Sequence, residues 1–131
     1  MPLTWTDKFS TNSETIDKHH QTIIQQLNQL QEQMVQGKGK EEIGKTLEFL
    51  ESYVKMHFEQ EEKLMEKYKC PAAELNKDQH AIFLEKVKTF RERYESASRD
   101  ILLTIDVQHE LSDWIVNHIL KVDIKIKDYI S

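Results

Sequence analysis

Residues 41–68, EEIGKTLEFLESYVKMHFEQEEKLMEKY, are the stretch of the chain whose pattern is easiest to interpret. Apolar side chains recur there at steps of three and four residues, which is the spacing of one face of an α-helix. His57 and Glu61 lie within this stripe four residues apart, so a helix turns both side chains the same way. The stripe consists of Ile43, Leu47, Leu50, Tyr53, Val54, His57, Phe58, Glu61, Leu64 and Met65. The stretch predicts a long amphipathic helix that carries a histidine and a carboxylate into the core.

Three further segments have the same helical spacing. We predict a helix from Ser13 to about Gln36, another from about Ala72 to Ala97, and a last one that has Asp100 as its N-cap and loosens or ends near Val122. The expected inward positions are Ile16, Ile23, Ile24, Leu27, Leu30 and Met34; then Leu75, Ile82, Phe83, Val87, Phe90 and Tyr94; then Ile101, Leu102, Ile105, Leu111, Trp114, Ile115, His118 and Ile119.

Short joints separate these four helical segments. The first joint is Gly37-Lys38-Gly39 and the third is Ser96-Ala97-Ser98. At the second joint Pro71 breaks the helix, because proline lacks the amide donor and disfavours helix at the preceding Cys70. Four helices with joints of a few residues pack as an antiparallel up-and-down bundle. We therefore expect an all-α four-helix bundle that forms a single domain over residues 1–131.

Composition excludes several classes of protein. A net charge of −5 argues against a nucleic-acid binder, which would normally carry a basic stripe. No apolar run approaches the roughly 20 residues that a membrane helix needs. Cys70 is the only cysteine, so neither an intramolecular disulfide nor a thiolate metal site is available. The N-terminus has no basic, apolar signal pattern, and we expect a cytoplasmic protein without membrane or nucleic-acid partners.

Six side chains suggest a metal site. Four of the six histidines fall on separate predicted helices, and two carboxylates accompany them at short range. A buried cluster of such charges would be strongly destabilising without a metal ion to pair them. Nitrogen and oxygen ligands without sulfur suit iron or manganese better than magnesium or calcium. The six predicted ligands are His20, His57, Glu61, His80, His118 and Asp123.

The other two histidines are expected to lie on the surface. His19 adjoins His20, so it points about 100° away around the helix. His109 precedes His118 by about two and a half turns, which places it on roughly the opposite face.

Four motifs in this order resemble a known family. They are Ile16-Asp17-Lys18-His19-His20, His57-Phe58-Glu59-Gln60-Glu61-Glu62, His80-Ala81-Ile82-Phe83, and Asp113-Trp114-Ile115-Val116-Asn117-His118 through Asp123. Together they resemble the single-domain bacterial hemerythrins over nearly the whole chain, including an N-terminal arm with Trp5. The resemblance implies two iron ions with an oxo or hydroxo bridge. It also implies that the protein binds O₂ reversibly, for carriage, storage or sensing, and is not an enzyme.

The resemblance also implies a role for each ligand. His20 and His57 match the histidines of the iron that leaves one position free for O₂, and Glu61 and Asp123 match the two bridging carboxylates. The second iron of the family takes three histidines, of which this chain retains His80 and His118. The resemblance places Phe58, Phe83, Trp114, Ile115 and Ile119 around the O₂ site; ordinary core packing accounts for these five equally well.

Asn76 departs from the family pattern. It stands where the first histidine of an HxxxH pair belongs, four residues before His80. A neutral, short amide is a poorer ligand than imidazole. Three outcomes are open: Asn76 binds weakly or holds a water, the second iron gains another open position, or that site stays partly or wholly empty.

The Asn76 departure leaves rival functions open. An additional labile position on the second iron favours a di-iron oxidase or peroxidase as the alternative to an O₂-binding protein. A sensory or partner-binding module is a third interpretation. For the partners, we expect O₂ and a monomeric chain.

Overall fold

The structure, a computed structural model, describes residues 3–96 and 101–129. This part of the chain contains four long α-helices and no strand. They are α1 (Glu14–Val35), α2 (Gly39–Lys67), α3 (Ala73–Glu95) and α4 (Ile101–Lys121). Two short 3₁₀ helices flank them, Asp7–Phe9 before α1 and Asp123–Asp128 after α4. The all-α prediction is confirmed.

The ends of the helices follow local chemistry. The Ser13 side chain caps α1 by accepting a hydrogen bond from the Ile16 amide at 3.2 Å. Gly37 ends the helix with φ +76°, a left-handed conformation that costs glycine little. The next helix begins at Gly39, two residues before the predicted Glu41. The N-cap predicted at Asp100 lies outside the described residues.

The four helices form an antiparallel bundle. Each helix packs against the next one in sequence, and α4 closes the bundle against α1. Apolar side chains from all four helices fill the space between them, including Leu27, Leu50, Phe83 and Leu111, all 0% exposed. The predicted up-and-down four-helix bundle is therefore confirmed.

Four positions predicted to face inward are on the surface. Leu75 and Ile82 of α3 are 44% and 52% exposed, and Leu102 and Ile105 of α4 are 60% and 43% exposed. The buried faces keep the predicted Phe83, Val87 and Phe90 on α3 and Leu111, Ile115 and Ile119 on α4, and they also include positions that were not predicted. They contain Asn76, His80, Phe83, Val87 and Phe90 on α3, and Leu103, Val107, Leu111, Ile115 and Ile119 on α4.

The N-terminal arm lies against α1. Leu3 donates its backbone N–H to the Asn28 side chain at 2.8 Å, and Asn28 donates in return to the Leu3 carbonyl at 2.7 Å. Trp5 stacks on the buried Phe9 with 5.4 Å between ring centroids. The arm predicted from the resemblance is thus an ordered part of the fold.

The segment after α4 is a 3₁₀ helix that the sequence did not predict. Ile126 is 1% exposed and packs in a small apolar cluster with Met65, Cys70 and Ala72 at the joint between α2 and α3. This contact fixes the start of the segment, where Asp123 is 1% exposed. None of the described helices is long and apolar enough to cross a membrane.

Candidate metal centre

The bundle brings the six predicted ligands together. They come from every helix: α1 contributes one histidine, α2 a histidine and a glutamate, and α3 and α4 one histidine each, while the aspartate follows α4. All six residues are at most 4% exposed. Two overlapping groups among them could hold a metal ion: Glu61, His80, His118 and Asp123, and His20, His57 and Glu61.

Glu61 directs its two oxygens to different histidines. Oε2 lies 3.1 Å from Nε2 of His20 and 3.3 Å from Nε2 of His57. Oε1 lies 3.1 Å from Nε2 of His80, on the other side of the carboxylate. The carboxylate therefore spans two neighbouring positions.

Asp123 divides its oxygens in the same way. Oδ2 lies 3.1 Å from Nε2 of His20, and Oδ1 lies 3.0 Å from Nε2 of His118. Two donor sets result. The first set is His20, His57 and Glu61 Oε2, with Asp123 Oδ2 in contact with His20, and the second set is His80, His118, Glu61 Oε1 and Asp123 Oδ1.

Metal ions fit these donor sets. Ligand atoms about 2.1 Å from one ion and at right angles to each other lie about 3.0 Å apart, close to the spacings above. The buried Nε2 atoms of His57 and His80 and Oδ1 of Asp123 have no hydrogen-bond partner. Buried polar atoms are nearly always satisfied, and one cation in each donor set would satisfy all three.

Neighbouring groups of the cluster shift the pKa values of His20, Glu61 and His80. Burial alone would lower the pKa of His20, but Asp123 and Glu61 outweigh it and raise the pKa to about 10. Burial would raise the pKa of Glu61, but His57, His20 and His80 hold it well below its usual range. For His80, the Glu61 carboxylate outweighs burial and raises the pKa. Without a metal, His20 and His80 therefore hold their protons more strongly than free imidazoles do.

Asn76 lies inside the second set. It is 0% exposed, and its Oδ1 lies 2.7 Å from Nε2 of His118. Its Nδ2 donates to Glu61 Oε1 at 3.0 Å and approaches the Met65 sulfur at 3.3 Å. The amide oxygen thus lies beside a donor atom of the second set, whereas the amide nitrogen occupies an acceptor site of the bridging carboxylate.

Two of the histidines have an oxygen acceptor behind the ring. Nδ1 of His80 lies 2.9 Å from Glu62 Oε2, and Nδ1 of His118 lies 2.8 Å from Gln79 Oε1. Metal-binding imidazoles usually donate their other N–H to such an acceptor, which fixes the tautomer and orientation of the ring. These contacts turn Nε2 of both rings towards the centre, where Nε2 of His118 faces Asn76 Oδ1. By contrast, Nδ1 of His20 has no partner.

The surface prediction for His19 was wrong. The residue is half-buried, and its Nδ1 lies 2.9 Å from Nδ1 of His57. Burial, together with the nearby His57 and His20, lowers the pKa of His19. The adjacent pair His19-His20 was the available signal, but the contact across to α2 was not visible in the sequence. The prediction for His109 is confirmed, since its side chain is 78% exposed.

An aromatic cluster covers the histidines of the second set. Phe58 stacks on His80 with 3.7 Å between ring centroids, and Trp114 stacks on His118 at 4.4 Å. Phe83 lies between them, 5.6 Å from Phe58 and 4.6 Å from Trp114. The last two predicted pocket residues, Ile115 and Ile119, are 3% and 1% exposed in the same core.

Comparison with known proteins agrees with this geometry. Residues 11–130 match the family described as "Hemerythrin HHE cation binding domain". A protein named bacteriohemerythrin from Methylococcus capsulatus is 33% identical over 122 residues, which cover 92% of this chain and 91% of that one. A bacteriohemerythrin of Pseudomonas aeruginosa is 32% identical over 121 residues, covering 92% and 76%. One from Stenotrophomonas maltophilia is 31% identical over 117 residues, covering 89% and 74%.

Proposed function

The chain belongs to the hemerythrin family, and on that premise we propose that it holds two iron ions and binds O₂ reversibly. The observation that carries the proposal is the division of two buried carboxylates between two sets of imidazoles. A structural ion pair needs only one oxygen facing one partner. Both Glu61 and Asp123 instead present one oxygen to each set, which is the arrangement of ligands shared by two ions.

Each donor set would hold one ion. His20 and His57 supply the nitrogens of the first set, and His80 and His118 those of the second. Glu61 and Asp123 join the two sets and balance part of the positive charge. Two iron ions held in this way supply the electrons on which reversible O₂ binding draws.

The surrounding residues would keep water out of the centre. Phe58 and Trp114 lie flat against the imidazoles of His80 and His118, and both rings pack on the fully buried Phe83. A dry, apolar surrounding favours reversible O₂ binding over oxidation of the ions, because charged products are poorly solvated there. We assign these three rings, with Ile115 and Ile119, to the wall of the O₂ pocket.

Asn76 supports a second candidate function. An amide oxygen in place of an imidazole gives the second iron one strong donor fewer, and that ion then exchanges ligands more readily. A di-iron oxidase or peroxidase would use such a position. Turnover of hydrogen peroxide with an organic reductant distinguishes the two functions. Turnover that is abolished by removing the iron favours the enzyme, and the absence of turnover favours the O₂ carrier or sensor.

Iron content and the visible spectrum test the main proposal. The purified chain, reconstituted with ferrous iron without oxygen, should contain up to two irons. It should develop a visible charge-transfer band with O₂ that disappears when O₂ is removed. The double variant Glu61→Gln, Asp123→Asn serves as the control, because it keeps the size of both side chains and removes both negative charges. A wild-type chain that folds but takes up no iron would overturn the proposal.

A further inference from the structure

His19 makes a contact with the centre that the six-ligand set does not require. Its Nδ1 lies 2.9 Å from Nδ1 of His57, with the two ring planes at 89° and their centroids 5.0 Å apart. Only one proton fits between two nitrogens at this distance. One imidazole must therefore donate through Nδ1 while the other accepts through Nδ1.

The direction of this hydrogen bond follows from the position of His57. Its Nε2 faces Glu61 Oε2 at 3.3 Å and has no hydrogen-bond partner. A metal ligand must present an unprotonated nitrogen, so a neutral His57 that binds through Nε2 carries its proton on Nδ1. That proton lies on the side of His19, whose Nδ1 is then the acceptor.

The helices hold His19 in place for this role. His57 lies between two consecutive residues of α1: His20, whose ring centroid is 4.7 Å away, and His19 at 5.0 Å. Tyr53, one turn before His57 on α2, contacts the His19 ring edge-on at 5.8 Å. His19 is therefore wedged between two side chains of α2 and does not extend freely into solvent.

We propose that His19 is a positioning residue of the metal centre: its Nδ1 accepts the Nδ1 proton of His57 and thereby directs Nε2 of His57 to the first iron. The inference rests on the proposed function. It gives His57 an outer partner comparable to Glu62 behind His80 and Gln79 behind His118. Loss of such an outer partner typically lowers metal affinity or activity 10- to 100-fold, roughly.

A matched pair of variants tests the proposal. In His19→Asn an amide oxygen takes the place of Nδ1, whereas His19→Leu has the same branching and no acceptor. His109→Leu removes an exposed histidine as a control. Each protein is loaded with ferrous iron without oxygen, and iron loss to an excess of a ferrous chelator is followed over time. Circular dichroism and thermal unfolding of the metal-free proteins report on the fold.

We expect one of the two irons to leave His19→Leu about 10 to 100 times faster than it leaves the wild type. The other iron should leave at the wild-type rate, and His19→Asn and His109→Leu should match the wild type. Equal rates in His19→Leu and wild type overturn the inference, as does His19→Asn behaving like His19→Leu. Faster loss of both irons with a less stable metal-free fold also overturns it, because that pattern indicates a purely structural role. A wild type that takes up no iron refutes the proposed function itself, and this inference with it.

Discussion

At the residue scale, Asn76 occupies the position where a further histidine was expected from the sequence. Asn76 is fully buried beside His118 and hydrogen-bonded to Glu61, so it does not simply leave an unfilled space. Its Nδ2 donates to the oxygen of Glu61 that faces the second set. That bond competes with a metal ion for the same oxygen. An asparagine here therefore limits the second set in two ways, because its amide is a weaker donor than an imidazole and its Nδ2 occupies a carboxylate oxygen.

Asn76→His should strengthen the second set. The larger ring replaces the amide and restores a nitrogen donor four residues before His80, on the same helix face. We expect iron content to rise towards two per chain and autoxidation of the O₂-bound form to slow by at least roughly tenfold. Even the loss of a residue that only hydrogen-bonds to a metal ligand typically changes metal affinity or activity by that factor or more. Iron analysis and decay of the visible spectrum measure both. Asn76→Leu, which has neither a hydrogen-bond donor nor an acceptor, should neither raise the iron content nor slow autoxidation. Unchanged iron content and autoxidation in Asn76→His would contradict this account.

His20 makes metal uptake depend on pH. In the metal-free chain its Nε2 contacts both Asp123 and Glu61 at 3.1 Å, and these carboxylates raise its pKa to about 10. Protonation of His20 therefore stabilises the metal-free fold fully at pH values below 6.5, the usual pKa of histidine. This stabilisation is lost as the pH rises through about 10. At pH 8 His20 is still protonated, and iron must displace that proton.

We accordingly expect loading with ferrous iron at pH 8 to release at least about one proton per chain. His80, whose pKa is also raised, adds to the release. Calorimetric titration in two buffers with different enthalpies of ionisation gives the number. His109→Leu should release the same number, because this histidine is exposed and lies about two and a half turns before His118. Metal uptake without proton release would show that His20 is already neutral.

Four of the six expected ligands are marked by local spacing in the sequence, whereas His20 and His80 have no such partner nearby. His57 and Glu61 share a helix face at i, i+4, and Asp123 follows His118 where a helix was expected to end. His19 was not predictable in this way. The side chains of two neighbouring residues on a helix point about 100° apart. Both can still contact one side chain of a second helix when that side chain lies between them. That depends on how α1 meets α2, which one sequence does not contain.

At the scale of elements, each predicted helix exists and its bounds differ by about two residues at most where they are described. Inward faces were less predictable. Leu75 and Ile82 share the helical spacing of Phe83 closely enough to be counted with the core, yet both are exposed. When apolar residues flank the apolar stripe of a helix on both sides, the sequence does not specify which of them face the core. The helices that pack against it determine this. The 3₁₀ helix was missed because alternating isoleucines and lysines have no helical period.

That 3₁₀ helix should hold Asp123 in the centre through Ile126. Ile126→Ala removes a side chain that is 1% exposed, and we expect it to lower the free energy of unfolding by about 2 to 4 kcal/mol. It should also speed the loss of iron, since Asp123 begins the same segment. Ile105→Ala, at a position 43% exposed, is the matched control and should change both quantities little. Denaturant unfolding and iron release to a chelator measure the two effects. Destabilisation without faster iron release would separate the segment from the metal centre.

At the scale of the whole molecule, the bundle keeps an incomplete set of charges in its interior. Two carboxylates and four imidazoles lie at the meeting point of all four helices, and four of their polar atoms lack hydrogen-bond partners. Burying such groups costs free energy unless they are paired. In the metal-free protein, packing of the rest of the core must therefore offset this cost. A bound cation would reduce the cost by pairing the buried groups. The four-helix bundle was predictable from the helical patterns in the sequence. The cost of burying these polar groups follows only from the distances between their atoms in the structure.

Iron should consequently stabilise the entire fold. An ion that binds only the folded chain adds about 4 kcal/mol per site at a thousandfold excess over its dissociation constant. For a chain of this size that corresponds to a rise in Tm on the order of 10 °C or more per site. Thermal unfolding followed by circular dichroism, without oxygen and with or without ferrous iron, measures the shift. Glu61→Gln should lose most of it, because Glu61 serves both donor sets. Glu59→Gln, on the exposed side of the same helix, should keep it. Equal Tm values for wild type with and without iron would mean that the interior charges are paired by protons alone and that the centre does not hold a metal.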